Sequence, residues 1–400
     1  MKLLQLNVTA NWGSTGKIAE GIGKAAMARG WDSTIAYGRY MNPSRSNLIK
    51  VGNQLDVYAH YAKSRLSDGE GLGSKSATRK LISQIKELSP DIIHLHNIHD
   101  HWLNYSILFE YFASINTPIV WTFHDCWAFT GGCFHFVQNN CSEWKTKCTK
   151  CNYRKALIDN TERNFSHKIE SILSLGQRLT IISVSKWLDS IVSDSNIRGL
   201  KHSTIYNGVD TNIFKPQSAE YIDTKYSLEG KNFFLGVSNR WYEDKGLKDF
   251  IKLSFLLPSN YFIVLVGVTE DIIKTLPKKI IGIPRTDSVE ELADFYTRAD
   301  AVLSLSSAET FGMTLAEGLS CGTPAIAYAS TGMKEIITPE TGFLITSGDI
   351  SQLKAVVDAV ASRKIIFSAE NCRKRAVENF NQDIQFNKYI DLYEELLSNS

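Results

Sequence analysis

The stretch Glu309-Thr-Phe-Gly-Met-Thr-Leu-Ala-Glu317-Gly318 follows an apolar run, Ala301-Val-Leu-Ser-Leu305. The apolar run predicts a buried parallel strand, and residues 314–320 predict a short helix. The stretch thus predicts a strand, a turn with Gly312 and the start of a helix. Proteins with α/β sheets bind anionic ligands at such a place, because the start of a helix offers unpaired N–H groups and a positive dipole end. The stretch therefore predicts an α/β fold with a phosphate site at the carboxyl edge of a sheet.

Two carboxylates lie eight positions apart in this stretch. Glu309 precedes the predicted helix and Glu317 lies on it, so one can reach a sugar hydroxyl while the other reaches a ribose. The alternative is a surface loop followed by an ordinary amphipathic helix with a solvated glutamate. These two residues alone do not decide between the two interpretations.

Over residues 309–324 the sequence resembles the donor-binding signature of the retaining glycosyltransferases of family 4. The resemblance implies the GT-B fold, with two Rossmann-like domains whose parallel sheets face each other across a cleft and a C-terminal helix that returns to the first domain. It implies that Glu309 is catalytic and faces the donor sugar, and that Glu317 holds the nucleotide ribose. The remaining donor contacts implied in this stretch are Phe311, Gly312, Met313 and Thr314.

Length and composition indicate a two-domain globular protein. Four hundred residues are too many for a single hydrophobic core. The content of 43% hydrophobic and 22% charged residues is typical of globular proteins. A net charge of +2 gives no basic field for nucleic acid. No apolar run is long enough to span a membrane, and Gln5 and Asn7 interrupt the apolar start, which predicts a strand rather than a signal peptide. We expect a cytoplasmic protein that does not bind nucleic acid.

A predicted strand over residues 3–8 leads into a glycine-rich turn over residues 11–16 and a helix over residues 17–29. A nucleotide-triphosphate loop does not fit, because Asn11 replaces its first glycine and Ile18 its Ser or Thr. The dinucleotide fingerprint is also missing. In the family that the chain resembles, this turn closes over the donor diphosphate and admits the acceptor. The resemblance thus places Gly16 at the donor and Gly13, Ser14 and Thr15 at the acceptor.

Four histidines cluster at one predicted strand end. In Asp-Ile-Ile-His94-Leu-His96-Asn-Ile-His99-Asp-His101, strand alternation would put His94 and His96 on one face. A metal site is one interpretation, but no carboxylate is spaced to complete it; in the family such a histidine-rich end lines the cleft.

His124-Asp125 follows a further predicted strand, over residues 119–123. By resemblance, His124 is a catalytic residue that contacts the donor sugar or the acceptor, with Asp125 on the acceptor side. The alternative is a neutral core histidine hydrogen-bonded to Asp125.

A cysteine-rich insert spans residues 126–155. Its Cys-x-x-Cys pair and two further thiols are enough for a closed tetrahedral zinc site, although four reduced thiols in a loop remain the alternative. The predicted structural zinc ligands are Cys133, Cys141, Cys148 and Cys151. Trp144 lies among basic residues, so the insert is either a surface that touches an anionic membrane leaflet or a solvated loop. These basic residues are Lys145, Lys147, Lys150, Arg154 and Lys155.

The second half repeats a β/α rhythm and carries two cations after its first predicted strand, residues 233–237. Arg240 and Lys245 are suited to hold a diphosphate, Arg240 bidentately and Lys245 as a point charge. Solvated surface charge is the alternative. In the family the matching residues stabilise the leaving nucleoside diphosphate and count as catalytic and donor-binding. The strand end at Ile283 matches the place where the base lies along the backbone.

The predicted domains are 1–205 for the acceptor, 206–382 for the nucleotide-sugar donor, and a terminal amphipathic helix, 383–400, that packs on the first domain. The sequence lacks Asp-x-Asp, so no metal cofactor is expected for catalysis.

The predicted function is a retaining, metal-independent hexosyltransferase that uses a UDP- or GDP-sugar and a saccharide acceptor in bacterial surface polysaccharide synthesis. An undecaprenyl-linked acceptor and a peripheral contact with the inner face of the cytoplasmic membrane are left open, as is the oligomeric state. The alternatives are a non-catalytic sugar-nucleotide or polysaccharide-binding protein, or a GT-B sugar-nucleotide epimerase.

Overall fold

The computed structural model describes residues 1–151, 156–241 and 243–399. The last part of the predicted insert, with Arg154 and Lys155, lies outside the described residues. The chain forms two compact units, Met1–Tyr206 with Asp383–Ser400, and Asn207–Gln382. Each unit is built on one parallel sheet with helices, which confirms the predicted α/β fold.

The first unit has a seven-stranded sheet in the order β3-β2-β1-β4-β5-β6-β7, parallel at every pairing. Both β4 and β5 are buried at every position, as expected for central parallel strands covered on two faces. The strands are β1 (Lys2–Asn7), β2 (Asp32–Tyr37), β3 (Asn47–Lys50), β4 (Ile92–Leu95), β5 (Ile119–Phe123), β6 (Leu179–Ser183) and β7 (Lys201–Thr204). The helices are α1 (Gly13–Ala28), α2 (Gln54–Ser67), α3 (Lys75–Leu88), α4 (Tyr105–Ala113), α5 (Thr161–Leu173) and α6 (Lys186–Asp194).

The second unit has a six-stranded parallel sheet in the order β10-β9-β8-β11-β12-β13. Its strands are β8 (Asn232–Val237), β9 (Tyr261–Val266), β10 (Ile280–Ile283), β11 (Ala301–Ser304), β12 (Ala325–Tyr328) and β13 (Gly342–Ile345). Its helices are α7 (Glu220–Tyr226), α8 (Leu247–Ser254), α9 (Glu270–Ile273), α10 (Val289–Arg298), α11 (Met313–Ser320), α12 (Ile350–Ala361) and α13 (Ala369–Phe380).

The last helix, α14 (Gln382–Ser398), packs on the first unit as predicted. Its apolar face joins the core cluster that contains Leu3 of β1 and Ile22 of α1. At the rim Arg29 pairs with Asp391 at 3.0 Å. The buried residues of α14 in this cluster are Phe386, Tyr389, Ile390 and Tyr393.

The strand order places a switch point in each sheet. The chain runs from β1 to β2 and β3 on one side and then crosses to β4 on the other; it does the same from β8 to β9 and β10 and then to β11. At such a point neighbouring connections leave in opposite directions, and the carboxyl ends of the strands open a crevice where ligands bind. The fold therefore favours a site beyond β1 and β4 in the first unit and beyond β8 and β11 in the second.

The predicted turn over residues 11–16 is wrong beyond its start. Helix α1 begins at Gly13, where φ is +66°, and Gly16 already lies inside the helix. A Cβ on Gly16 would lie 2.7 Å from Thr9 Oγ1, so this glycine permits close packing of α1 rather than a turn.

No helix among the described residues is both long and apolar enough to cross a lipid bilayer.

Candidate active site

Lys245 and Glu309 form an ion pair at the carboxyl edge of the second sheet. Lys245 ends a short 3-10 turn after β8, and Glu309 follows the neighbouring strand β11. The distance from Lys245 Nζ to Glu309 Oε1 is 2.6 Å, and the two side chains keep 27% and 29% of their surface exposed. A ligand at this edge therefore meets a cation and a carboxylate side by side.

The backbone of Glu309 is held by a segment that the sequence did not single out. Glu309 N–H donates to Thr331 Oγ1 at 2.8 Å, and this hydroxyl in turn donates to Glu309 O at 2.6 Å. Gly332 N–H also donates to Glu309 O, at 3.0 Å. Gly332 has to be glycine, because a Cβ there would lie 2.2 Å from Thr310 O. Thr331 and Gly332 thus fix the loop that carries Glu309, although no sequence motif marks them.

Helix α11 begins directly beyond this loop. Its N-cap is Gly312, which adopts φ +112°, and none of the described side chains caps the helix. The first intrahelical bonds run from Leu315 and Ala316 N–H to Gly312 O. The N–H groups of Met313 and Thr314, in the first turn, take no part in these bonds. Phe311 is buried 5.5 Å from the ring of Phe380 and anchors the turn. This geometry is that of an anion site at a helix start.

Glu317 lies one turn along α11 and is held from the neighbouring helix α10. Tyr296 OH donates to Glu317 Oε2 at 2.7 Å. Burial, reinforced by the Glu317 charge, raises the pKa of Tyr296 well above its ordinary value. The phenol therefore stays protonated and acts as a permanent donor to the carboxylate. Sequence reasoning missed Tyr296, because the packing of α10 on α11 is not visible in either helix alone.

Arg240 and Ile283 complete the predicted donor residues of this unit. Arg240 is exposed just after β8, on the same strand end as Lys245. Ile283 ends β10, two strands away from β8, and its carbonyl accepts a hydrogen bond from Gly267 N–H at 2.8 Å. The structure thus brings Arg240, Lys245 and Glu309 to one pair of strand ends and leaves Ile283 further along the same edge.

In the first unit, residues 13–16 form the first turn of α1 beyond β1. Ser14 is exposed, and Thr15 Oγ1 lies 3.3 Å from Asn7 Nδ2 at the end of β1. Thr9 Oγ1 donates to Trp12 O at 2.7 Å and holds the approach to the helix. Gly13, Ser14 and Thr15 therefore lie at the switch point of this sheet, while Gly16 is buried.

His124 and Asp125 lie beyond β5, and each has a different histidine as a hydrogen-bond partner. His124 Nε2 lies 3.1 Å from His96 Nδ1, whereas Asp125 Oδ2 lies 2.8 Å from His99 Nε2. Burial lowers the pKa of His124 to about 4. Burial also opposes charge on His99, but the Asp125 carboxylate outweighs it and the pKa of His99 is raised. The structure therefore contains a neutral His124 next to a His99–Asp125 ion pair.

The predicted histidine geometry is present, but without a metal cluster. The ring centroids of His94, on β4, and His96, just after β4, lie 4.0 Å apart. Within residues 1–151, 156–241 and 243–399, no three His, Cys, Asp or Glu side chains are gathered as metal ligands.

The structure places at least two of the four predicted zinc ligands close together. Cys133 Sγ and Cys151 Sγ lie 3.6 Å apart, and Cys148 Sγ accepts a hydrogen bond from Gly131 N–H at 3.2 Å. Burial raises the pKa of Cys148 to about 11, so its thiol is protonated at neutral pH unless a metal displaces the proton. The structural zinc stays a prediction.

The interpretation of Trp144 as part of a membrane-touching surface is wrong. Trp144 is buried 4.6 Å from Phe136 and donates through Nε1 to Cys141 O. Two of the neighbouring lysines are paired with carboxylates: Lys145 with Asp194 at 2.7 Å and Lys147 with Glu162 at 2.5 Å. The aromatic ring forms the core of the insert because its apolar area outweighs the basic character of its neighbours.

Two protein-family models match the chain. "Glycosyltransferase Family 4" matches residues 16–213 and "Glycosyl transferases group 1" matches residues 219–379. The two matches together span most of the chain and meet near the boundary between the two units. This chain is a glycosyltransferase of family 4.

The glycosyltransferase is similar over its whole length to "Putative colanic acid biosynthesis glycosyl transferase WcaC" of Escherichia coli K12, at 23% identity over 99% of this chain and 100% of that protein. Its fold is similar to that of sucrose-phosphate synthase from Thermosynechococcus elongatus, with a TM-score of 0.75 and 16% identity over 100% of both chains. Anabaena HepE in complex with UDP-glucose gives a TM-score of 0.66 and 18% identity over 100% of both chains. These likenesses confirm the GT-B fold.

Proposed function

We propose that this glycosyltransferase is a retaining, metal-independent hexosyltransferase that uses a UDP- or GDP-sugar in the synthesis of a bacterial surface polysaccharide. The observation that carries the proposal is the Lys245–Glu309 ion pair beside the first turn of α11, at a switch point of the sheet. The name of WcaC supports surface polysaccharide as the product. The UDP-glucose complex of HepE supports a uridine donor.

In this proposal the donor diphosphate lies at the start of α11. Met313 and Thr314 N–H and the helix dipole stabilise its negative charge, and Lys245 and Arg240 supply two cations from the end of β8. Glu317 receives the ribose hydroxyls, with Tyr296 fixing the orientation of its carboxylate. The nucleotide base lies along the backbone near Ile283. No divalent cation is needed, because these groups together offset the charge of the leaving diphosphate.

The transfer step follows from the position of Glu309 beside Lys245. When the diphosphate attracts Lys245, the Glu309 carboxylate is left facing the donor sugar and orients it by accepting hydroxyl hydrogen bonds. The acceptor hydroxyl attacks the anomeric carbon on the face that the leaving phosphate vacates. The bond from the anomeric carbon to the phosphate oxygen breaks, the glycosidic bond forms, and the acceptor proton passes to that oxygen, which gives retention.

The acceptor belongs to the first unit in this proposal. Residues 1–205 bind a saccharide through Gly13, Ser14 and Thr15 and through His124 and Asp125, all of which lie at the carboxyl edge of the sheet. Residues 206–382 bind the donor. Residues 383–400 stabilise the first unit through the core contacts of α14.

The acceptor is proposed to be linked to undecaprenyl lipid and to be met at the inner face of the cytoplasmic membrane through α2. This helix buries only His60 and carries the cations Lys63 and Arg65 on its exposed surface. Apolar side chains beside a cationic helix surface suit an anionic bilayer. The exposed apolar residues are Leu55, Tyr58, Tyr61 and Leu66 on α2, with Leu157 and Ile158 beside its end.

Vesicle co-sedimentation tests this surface. We expect the protein to pellet with phosphatidylglycerol vesicles more than with phosphatidylcholine vesicles, and Leu55→Glu to reduce pelleting. Phe255→Glu is the control, because Phe255 is equally accessible but lies on the second unit. Equal pelleting of Leu55→Glu and the parent protein would remove α2 from the proposal.

Thermal shift and donor hydrolysis test the activity itself. The purified protein is screened with UDP-, GDP-, ADP- and dTDP-sugars in EDTA, followed by NMR of the anomeric configuration of the product. A shift with one nucleotide class and slow hydrolysis to free sugar are expected. A thermal shift without turnover would indicate a binding protein. Conversion of the donor without an acceptor would indicate an epimerase. An inverted linkage in the product would contradict retention.

A further inference from the structure

The segment Thr331–Glu335, a 3-10 turn beyond β12, contacts the candidate active site at two places. Its first two residues form hydrogen bonds with the backbone of Glu309. Met333, in its middle, is fully buried, and a Cβ added to Gly312 would lie 3.3 Å from Met333 Cγ. Ser304 Oγ, at the end of β11, donates to Met333 Sδ at 3.2 Å. The position of this segment therefore decides the positions of both the Glu309 carboxylate and the start of α11.

Arg375 of α13 holds the other end of this segment. Arg375 Nη2 donates to Glu335 O at 2.7 Å, and Arg375 Nε donates to Ile336 O at 3.4 Å. The last carbonyls of a helical turn have no partner within that turn, and a cation there makes charge-assisted hydrogen bonds with them. Nε and Nη2 lie on one edge of the planar guanidinium, so a single side chain fixes two consecutive carbonyls. A lysine would offer one ammonium group here and could not reproduce that fork.

Phe380, at the end of α13, supports the start of α11 from a second side. The guanidinium carbon of Arg375 lies 5.2 Å from the centroid of the Phe380 ring, and Phe380 is fully buried. The Phe380 ring meets the Phe311 ring nearly at right angles, with 5.5 Å between the centroids. The backbone of Phe380 is fixed as well, because Phe380 O accepts a hydrogen bond from Val209 N–H at 2.7 Å. Phe311 directly precedes Gly312, so this aromatic pair fixes the turn from which α11 begins.

We propose that Arg375 and Phe380 are positioning residues for the transfer reaction. Arg375 places the Glu309 carboxylate through residues 331–336, and Phe380 places the first turn of α11 through its aromatic partner. Both act through the backbone of the loop 309–312, which one helix thus fixes from two sides. The inference rests on the proposed roles of Glu309 and of the start of α11 at the donor.

Steady-state kinetics tests Arg375. Methionine keeps the apolar stem of arginine but not its donors, so Arg375→Met should lower kcat roughly tenfold while the donor KM changes little. The rate is measured as release of UDP from UDP-glucose, the probe donor. Arg375→Lys restores one donor and should recover part of the lost rate.

Arg373→Met is the matched control. Arg373 lies on the same helix and also donates to a backbone carbonyl, that of Ser320 at 2.7 Å, but Ser320 ends α11. Both methionine variants should lower Tm, while kcat of Arg373→Met should stay at the parent value. An equal loss of kcat in the two variants, or an unchanged kcat in Arg375→Met, would overturn the proposal. If Arg375→Met does not fold, Arg375→Lys and Arg373→Lys are compared by the same criteria.

Amide hydrogen exchange, followed by mass spectrometry on the full chain, tests the support without turnover. The amides of Glu309 and Gly332 both take part in the bonds between the loop and the segment. Arg375→Met should speed exchange in peptides that cover residues 309–312 and 331–336, whereas the control variant should not. Equal exchange in Arg375→Met and the parent protein would overturn the proposal. This readout needs no substrate, so it stands apart from any failure of the proposed function.

Glu309→Ala in the same kinetic series separates the two proposals. A loss of kcat in Glu309→Ala together with an unchanged kcat in Arg375→Met would overturn the positioning role alone. An unchanged kcat in Glu309→Ala would instead overturn the proposed function, and the exchange data would still decide whether Arg375 supports the loop.

The donor KM tests Phe380. Phe380→Leu keeps much of the apolar volume but removes the edge contact with Phe311, so the donor KM should rise a few-fold while kcat changes less. Phe343→Leu is the matched control, because Phe343 on β13 meets Phe367 in the same edge-on manner, with ring centroids 5.4 Å apart. Its donor KM should match that of the parent protein. An unchanged KM in Phe380→Leu, or an equal rise in both variants, would remove Phe380 from the proposal.

Discussion

Lys245 Nζ lies 2.6 Å from Glu309 Oε1, although 64 residues separate the two positions. The contact exists because β8 and β11 are neighbours in the sheet while β9 and β10 lie on the other side of β8. Both residues leave the carboxyl ends of these strands at the switch point. The pair thus joins the cation that suits a diphosphate to the carboxylate that suits a sugar.

Replacement of Glu309 and replacement of Glu317 should change different kinetic parameters. Glu309→Ala should lower kcat by roughly a hundredfold, because an interaction made with the reacting sugar is lost. Glu317→Ala should instead raise the donor KM by roughly tenfold, since a charged hydrogen bond to the ribose is lost. Steady-state kinetics over donor concentration separates the two effects. Equal losses in both parameters for both variants would contradict the division of roles.

Tyr296→Phe tests the support of Glu317. Removing the hydroxyl leaves the carboxylate without the donor 2.7 Å away, so the donor KM should rise a few-fold while kcat changes little. Tyr226→Phe is a matched control on a phenol that donates to a different carboxylate, Glu291, and should leave KM unchanged. An unchanged KM in Tyr296→Phe would show that Glu317 is oriented without it.

Gly246 should be irreplaceable beside Lys245. Its φ is +77°, and a Cβ would lie 2.2 Å from Leu305 O, so Gly246→Ala would push β8 and β11 apart at the site. Gly230 has φ +68° with open space around it, so Gly230→Ala carries the backbone strain alone, about 1 kcal/mol. Urea unfolding and donor titration should show a larger loss of both stability and binding for Gly246→Ala. Equal losses would mean that only backbone strain matters.

Acid should destabilise the first unit through its buried histidines. The pKa of His124 is lowered to about 4 by burial, and burial also lowers the pKa values of His94 and His96. The unfolded chain then binds more protons than the folded one, so stability falls as the pH drops from about 6.5 toward 4. Urea unfolding at pH 7 and pH 5 should show the loss, and His124→Asn should reduce it by roughly 1 kcal/mol. A loss of the same size in the variant would exclude a contribution from His124.

The His99–Asp125 pair should stabilise the first unit in mild acid, where the three neutral histidines destabilise it. His99 has a raised pKa, so its stabilisation is complete below about pH 6.5 and is lost as the pH rises through its folded pKa. Asp125 has a lowered pKa, so its stabilisation holds above about pH 4 and is lost in stronger acid. The pair therefore stabilises the fold most between these limits, and in the same urea series His99→Gln should flatten the profile on the alkaline side.

The four cysteines should hold one structural zinc. The 3.6 Å between Cys133 Sγ and Cys151 Sγ is close to the edge of a tetrahedron with zinc–sulfur bonds of about 2.3 Å. Elemental analysis should find one zinc per chain, and its release with a mercurial should lower Tm while donor binding persists. Cys372→Ser, at a buried thiol in the second unit, is the control and should keep the metal. If the protein contained no zinc and its Tm were unchanged by the mercurial, the four cysteines would be reduced thiols in a loop.

The sequence by itself determined the fold class and the main donor motif. Alternating apolar strands and helices predict two parallel sheets, because burial on both faces leaves a local pattern in each strand. The stretch from Glu309 to Glu317 was recognisable since a strand, a turn glycine and a helix start are consecutive in the chain. The amphipathic spacing of the last helix was local in the same way.

The tertiary structure alone decided which groups meet. His124 and Asp125 are adjacent in the sequence. Because β4 and β5 are neighbours in the sheet, however, His124 forms a hydrogen bond with His96, and Asp125 forms one with His99. Thr331 contacts Glu309 and Tyr296 contacts Glu317 only through packing between different elements of the fold. Trp144 looked exposed among lysines and is buried. Local periodicity records how a segment faces a core, but strand order and helix packing arise from contacts between distant segments, and these choose the partner of each polar group.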